Sequence, residues 1–223
     1  MIDVIQLENF QAVVNCHSDL YSSQETFLPV NYQFKKGNVY GLCSDFGCGS
    51  WGIATCLCGR GSENYTGKIY LNHNEIQLKI LNHYSAIIPS PIFDSLNSEG
   101  VYLTVKECIC KALDLSKLPY SFAEIKEIFC LTDNRIDRYL FDVSGEIWLI
   151  SLAVNFALGK SLFCYPWLNE MDCGRVKIIH QLGILDFLKE NGKIIVIPSS
   201  QRKMIKKYCD HVVLFQKGKI HYF

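Results

Sequence analysis

The sequence has no excess of either charge: its 22 Lys and Arg balance 22 Asp and Glu. Nothing in that balance draws the chain to nucleic acid or to an anionic membrane surface. It has no long apolar run either. The longest, Ile147 to Leu158, is interrupted by Asn155 and falls short of the roughly 18 to 20 residues that span a bilayer, so any membrane role is expected to come through a partner. Secretory-signal character is missing from the first residues, which makes a reducing cytoplasm the expected compartment. Zinc-type spacing is missing too. The 11 cysteines sit mostly in apolar stretches, as in Cys56-Leu-Cys58 and Cys108-Ile-Cys110, and read as small buried hydrophobes rather than metal ligands. The six histidines are scattered without ligand spacing. Internal repeats, low-complexity tracts and linkers are absent as well.

What is present is an ordinary globular composition, 49% hydrophobic and 20% charged, in which strand-like and helix-like segments alternate. Ile2 to Phe10, Val39 to Cys43 and Lys68 to Leu71 read as strands, with turn signals at Lys36-Gly37 and Thr66-Gly67. Ser85 to Pro89, Ser161 to Tyr165, Lys193 to Ile197 and His211 to Phe215 read as further short buried strands. Helical spacing marks Ile53 to Cys58, much of Leu103 to Phe141, Gly145 to Leu158, Val176 to Glu190 and Gln201 to Cys209. Such alternation builds a mainly parallel sheet covered on both faces.

The stretch that carries chemistry is Gly41-Leu-Cys-Ser-Asp-Phe-Gly-Cys-Gly-Ser-Trp-Gly52. A phosphate-binding loop follows a strand, opens a helix and reads G-x-x-x-x-G-K-[ST]; its backbone N–H groups cradle phosphate and its lysine neutralises it. Here Ser44 stands at the first glycine, Gly47 and Cys48 lie within the loop, and Gly49 supplies the last glycine. Ser50 replaces the lysine and Trp51 the metal-binding hydroxyl. A neutral hydroxyl in place of a charge-assisted phosphate contact forfeits on the order of 2 to 5 kcal/mol.

Five further segments agree in order and spacing with one family. Phe34-Lys-Lys-Gly-Asn-Val-Tyr-Gly-Leu42 resembles the strand feeding the phosphate loop of the nucleotide-binding subunits of ATP-binding cassette (ABC) transporters, and Thr66-Gly-Lys-Ile-Tyr-Leu-Asn72 resembles their "SGEIYLNG". Leu103-Thr-Val-Lys-Glu107 resembles the start of their helical subdomain. Tyr208-Cys-Asp-His-Val-Val213 and Gln216-Lys-Gly-Lys-Ile220 resemble "LCDRVVVL" and "KDGKI". The resemblance implies a P-loop NTPase-like α/β fold: a mainly parallel sheet covered by helices, an N-terminal antiparallel β portion and an inserted helical lobe. Residues 1–223 would form a single cassette, and residues 91–142 its lobe.

The resemblance also implies where the chemistry would lie, and at each place the residue is wrong for it. The strand ending in a Mg2+-binding aspartate and a catalytic glutamate matches Ser161 to Tyr165, which puts Pro166 and Trp167 at the acidic positions; neither holds a metal or takes a proton. Ser90, in Ile87-Ile-Pro-Ser90, stands for the glutamine of "YVPQ", and Ser200, in Ile197-Pro-Ser-Ser200, for the histidine of "STH". The adenine-stacking aromatic falls near Val14. Val143-Ser-Gly-Glu146 resembles "LSGGQ" with a glycine lost. Two readings fit Ser144, Gly145 and Glu146: a remnant that touches the γ phosphate on a partner's loop, or a plain helix N-cap. The expected protein is a catalytically silent cassette with no cofactor in its own site, and with ATP and Mg2+ at most in a site shared with a partner. It would pair with a competent ABC subunit and with membrane-spanning transporter subunits, at the cytoplasmic face of a membrane. Two alternatives stay open: slow hydrolysis using Glu170 or Asp172, and a nucleotide-independent docking module whose old pocket is filled by Trp51 and Trp167.

Overall fold

The computed structural model describes residues 2–18, 21–61, 65–89, 102–143, 146–216 and 219–222. Ser90, Ser144 and Gly145 lie outside the described residues, as does the Pro-Ser-Pro segment beyond Pro89.

The chain opens with two long antiparallel strands, β1 (Val4–His17) and β2 (Ser22–Lys35), followed by β3 (Asn38–Cys43) and helix α1 (Ser50–Leu57). Then come β4 (Tyr65–Leu71), β5 (Asn74–Ile76), a 3-10 turn (Leu78–His83) and β6 (Ser85–Ile87). Helices α2 (Val105–Ser116), α3 (Phe122–Ile128), α4 (Asp133–Ile136) and α5 (Ile147–Ala157) precede β7 (Leu162–Cys164). Helices α6 (Glu170–Gln181) and α7 (Ile184–Glu190), strand β8 (Ile194–Ser199), helix α8 (Arg202–Tyr208) and strands β9 (His211–Gln216) and β10 (Lys219–Tyr222) complete the order.

Two sheets result. One is antiparallel, in the order β2-β1-β4-β5, and the other runs β10-β9-β3-β8-β7-β6, with β9, β3, β8, β7 and β6 parallel and β10 antiparallel at its edge. The parallel strands are apolar on both faces, as a sheet covered on both sides requires. Tyr40, Leu42, Ile194 and Val196 pack with α1 and the inner face of the antiparallel sheet, through Phe10, Val14, Phe27 and Trp51. Val39, Phe163, Ile195 and Ile197 pack against the helices, through Val105, Ile150, Phe156, Val176 and Leu188. The central sheet is therefore covered on both faces, as expected, by helices on one side and largely by the N-terminal antiparallel sheet on the other.

Local rules explain many boundaries. Helices α2 and α3 each begin with a capping box, Thr104 with Glu107 and Ser121 with Glu124, in which side chain and backbone satisfy each other's free N–H groups. The single helix expected over Val176 to Glu190 is two helices, divided at Gly183, which is left-handed (φ 75°). The turn expected at Thr66-Gly67 lies inside β4 instead. Gly67 adopts φ 84° beside an irregularity in the β1–β4 register between Glu8 and Gln11, and a Cβ there would lie 2.3 Å from the Asn9 carbonyl oxygen. Near the C-terminus, the Asp210 carboxylate accepts the Val39 N–H (2.8 Å) and a Lys189 N–H (2.7 Å), tying β9 to β3. No helix among the described residues is long and apolar enough to cross a membrane.

Candidate functional site: a filled phosphate loop

The loop between β3 and α1 sits where the sequence predicts it. Ser44 follows the strand, its N–H donating to the Ser199 carbonyl of β8 (3.2 Å). Gly47 and Gly49 adopt φ 80° and 103°, left-handed conformations open to glycine that leave their two N–H groups aimed to one side, while the Cys48 N–H between them donates to the Asp45 carbonyl (3.2 Å).

That side is occupied by the chain itself. The Glu25 carboxylate, on β2, accepts the Gly47 N–H through Oε1 (2.9 Å) and the Gly49 N–H through Oε2 (2.6 Å). Glu25 is fully buried. Strand β2 runs close over the loop: a Cβ on Gly49 would lie 2.9 Å from the Phe27 Cβ, and one on Gly52 would lie 2.9 Å from the Glu25 Cβ.

Glu25 escaped the sequence reading although a signal was there. Glu25, Phe27, Val30 and Phe34 form the buried side of β2, so a carboxylate occupies a position that the strand's pattern reserves for the core. The register pairs Val14 with Glu25 and Ala12 with Phe27. Val14, placed near an adenine-stacking position by the resemblance, is fully buried on that inner face, and offers no exposed platform for a base.

The residues in place of lysine and the metal-binding hydroxyl are buried against the loop and the core. Ser50 is fully buried, its Oγ 2.5 Å from the Ser44 Oγ. Trp51 is buried in the core between the sheets, so it is Glu25, and not Trp51, that fills the phosphate position. Beside the loop stands an aromatic wall. Trp167 donates its indole N–H to the Ser44 carbonyl (3.3 Å), and its ring meets Phe46 at 5.1 Å and Tyr21 at 6.5 Å between centroids. Tyr21 accepts a hydrogen bond from Asn169. Burial raises the Cys48 thiol above its ordinary value, with the charges of Asp45 and Glu25 adding to the effect.

Strand β7 ends at Cys164, so the residues that close it are Cys164 and Tyr165, just before Pro166 and Trp167. Both are buried, and Tyr165 stacks on Trp148 (5.5 Å). Read at either register, the strand's end presents no carboxylate. The nearby acids lie on α6. Glu170 is exposed at the start of α6, while Asp172 is buried with Arg175 3.9 Å away; Asn169 caps the helix by accepting the Asp172 N–H (2.9 Å). Ser200 is half-buried beyond β8, and its neighbour Ser199 is the residue that joins the loop and the 168 segment, its Oγ donating to the Leu168 carbonyl (2.8 Å). Glu146 precedes α5 without a side-chain cap; its carboxylate accepts from the Thr132 hydroxyl (3.0 Å) and lies 3.9 Å from Arg135.

The fold is of the P-loop NTPase type, and the glycine loop between β3 and α1 holds a carboxylate of the chain itself. No family model matches the chain. It is similar to the methionine import ATP-binding protein MetN of Clostridioides difficile, with 23% identity over 221 residues, covering 90% of the chain and 64% of that protein. An uncharacterised ABC transporter ATP-binding protein of Methanocaldococcus jannaschii, MJ1023, is 25% identical over 200 residues, covering 86% of the chain and 70% of that protein. MetN of Francisella tularensis is 27% identical over 206 residues, covering 86% of the chain and 56% of that protein. The chain thus spans less than two thirds of the length of the two methionine-import proteins.

Among solved structures, CbiO1 of Clostridium perfringens, part of the ABC transporter complex CbiONQ, superposes with a TM-score of 0.66 at 17% identity, over 99% of the chain and 88% of that protein. The dimeric ABC transporter cassette MJ0796 gives 0.66 at 15%, over 97% and 96%. The homologues of the chain are ATP-binding subunits of ABC transporters, and its fold is that of their cassettes.

Proposed function

We propose that this chain is a catalytically silent ABC-type subunit of a transporter, of the importing kind for which its methionine relatives are named. It pairs with a competent ABC subunit, docks on membrane-spanning partners at the cytoplasmic face, and contributes no ATP turnover from its own loop. The observation that carries this reading is the filled cradle: two loop amides that would hold phosphate hold Glu25. Ser50, Cys164, Tyr165, Pro166 and Trp167 support it, since none supplies the cation, metal ligand or base that phosphoryl transfer needs. ATP and Mg2+ would then lie on the partner's loop.

The alternative of slow hydrolysis through Glu170 or Asp172 is disfavoured by the burial of Asp172 beside Arg175 and by the placement of Glu170 at an exposed helix start. The docking-module alternative shares the filled cradle and differs in needing no nucleotide on any partner.

The test is Mg-ATP turnover by the purified chain, and by the chain co-expressed with a neighbouring-gene subunit that carries an intact G-x-x-x-x-G-K-[ST] loop. Turnover is expected only in the co-expressed complex, lost when the partner's loop lysine is replaced and insensitive to Ser50→Ala. Turnover by the chain alone that disappears with Glu170→Gln would establish the slow-enzyme reading instead.

A further inference from the structure

We propose that Glu25 is a tethered surrogate for phosphate: the Gly47–Gly49 cradle is a working anion site whose ligand belongs to the chain, so that the loop is held in its loaded shape without nucleotide. The inference rests on reading residues 44–50 as the remnant of a phosphate loop.

Three independent features carry it. The first is geometry. Each carboxylate oxygen takes one loop amide, at 2.9 and 2.6 Å, the charge-assisted arrangement in which loop amides meet an anion. The second is position. A fully buried carboxylate is costly and persists only where donors compensate it, and Glu25 stands on a strand face otherwise built from Phe27, Val30 and Phe34. The third is closure. The approach of Phe27 and of the Glu25 stem to Gly49 and Gly52 leaves no space for even one methyl group at either glycine, so strand and loop are fitted to each other. A side chain that merely filled space there would be apolar, and one that merely hydrogen-bonded would not need both oxygens.

A consequence follows for the subunit's behaviour. Where a loop needs nucleotide to order its amides, its shape varies with nucleotide occupancy; here the anion arrives at folding and never leaves. The loop's shape is therefore expected to stay constant whatever nucleotide a partner holds.

The experiment replaces Glu25 by Ala and adds inorganic phosphate, with chloride at matched ionic strength as control, following thermal unfolding and the amide resonances of Gly47 and Gly49. The wild-type resonances should not respond to phosphate. In Glu25→Ala the melting temperature should fall, and phosphate, but not chloride, should raise it in a saturable manner while moving those two resonances. Glu25→Gln is the second variant should the alanine form fail to fold; its carboxamide still fills the cradle, so no phosphate response is expected of it, but loss of the charge and of one acceptor should shift both resonances. A wild-type cradle that takes phosphate as readily as Glu25→Ala overturns the inference, as does either variant whose two resonances keep their wild-type positions, or a folded Glu25→Ala that shows no saturable response. Either result leaves catalytic silence standing on the missing lysine and carboxylates. Turnover by the chain alone would overturn silence without touching the cradle measurement.

Discussion

Glu25→Gln changes almost no volume, so its effect on stability isolates the electrostatics of the filled loop. In the wild type the two carboxylate oxygens accept the Gly47 and Gly49 N–H groups at 2.9 and 2.6 Å in a fully buried setting. Hydrogen bonds to a charged group contribute about 1.5–3 kcal/mol each, against about 0.5–1.5 kcal/mol for neutral ones. Glutamine keeps one acceptor oxygen, now uncharged, and sets an NH2 against the other loop N–H, so one bond is lost, one is weakened and a donor is left facing a donor. Relief of the buried charge's desolvation offsets part of these terms, leaving a loss of roughly 2–4 kcal/mol, which for a chain of 223 residues lowers the melting temperature by roughly 4–16 °C. Circular dichroism on heating, and urea titration with an unchanged m-value, measure it. A Glu25→Gln protein as stable as the wild type, or more so, would refute the claim that the loop amides depend on this carboxylate.

Other consequences are independent of the loop. Burial alone would raise the Asp210 carboxyl, but the Lys189 hydrogen bond, the Val39 N–H and the charges of Lys189 and His211 outweigh it and hold it below the usual carboxylate range. A carboxylate lowered in the folded state contributes stability above its unfolded value near 4 and loses it as pH falls toward the folded value. Asp210→Asn should therefore destabilise at pH 7 by about 1–2 kcal/mol, with the deficit closing below about pH 4, and a pH-independent deficit would contradict the assignment. Burial pushes the Cys16 and Cys108 thiols up to about 12, whereas Cys130 is exposed; a thiol reagent at pH 8 should label Cys130 quickly and leave Cys16 and Cys108 until unfolding, and equal rates would show that the core is open. Gly67→Ala, whose Cβ would meet the Asn9 carbonyl at 2.3 Å in a φ 84° backbone, should cost roughly 2–4 kcal/mol. Gly174→Ala, in α6 with nothing within 4 Å, should instead stabilise by about 0.5–1 kcal/mol. Equal effects of the two would remove the steric argument.

The sequence made the parallel sheet legible because its strands are short apolar runs, such as Ile194 to Ile197, set between helical spacing and Gly or Asn turns. It hid β2. There, Pro29 and a run of polar outward residues conceal the inward series Glu25, Phe27, Val30 and Phe34, and a buried acid reads as a break in the pattern rather than as a ligand. The phosphate loop could be located from its glycines, and the missing lysine was visible; the occupant of the loop was not, because it lies 22 to 24 residues away on another strand. The end of β7 was placed late for a related reason: Tyr165 and Pro166 continue the apolar run, and only the ladder to β8, which pairs Cys164 with Val196, marks where pairing stops. Likewise α5 begins at Ile147, with Glu146 at its N-cap making no side-chain cap hydrogen bond.

The most direct test of the central claim is a titration of the wild-type chain with Mg-ATP, observed at the backbone amides of Gly47 and Gly49. With Glu25 in the cradle, those resonances should stay where they are at every concentration, and calorimetry of the same titration should show no saturable heat. Saturable binding that displaces the Gly47 and Gly49 resonances would mean that nucleotide evicts Glu25 and that the loop is a usable ATP site after all.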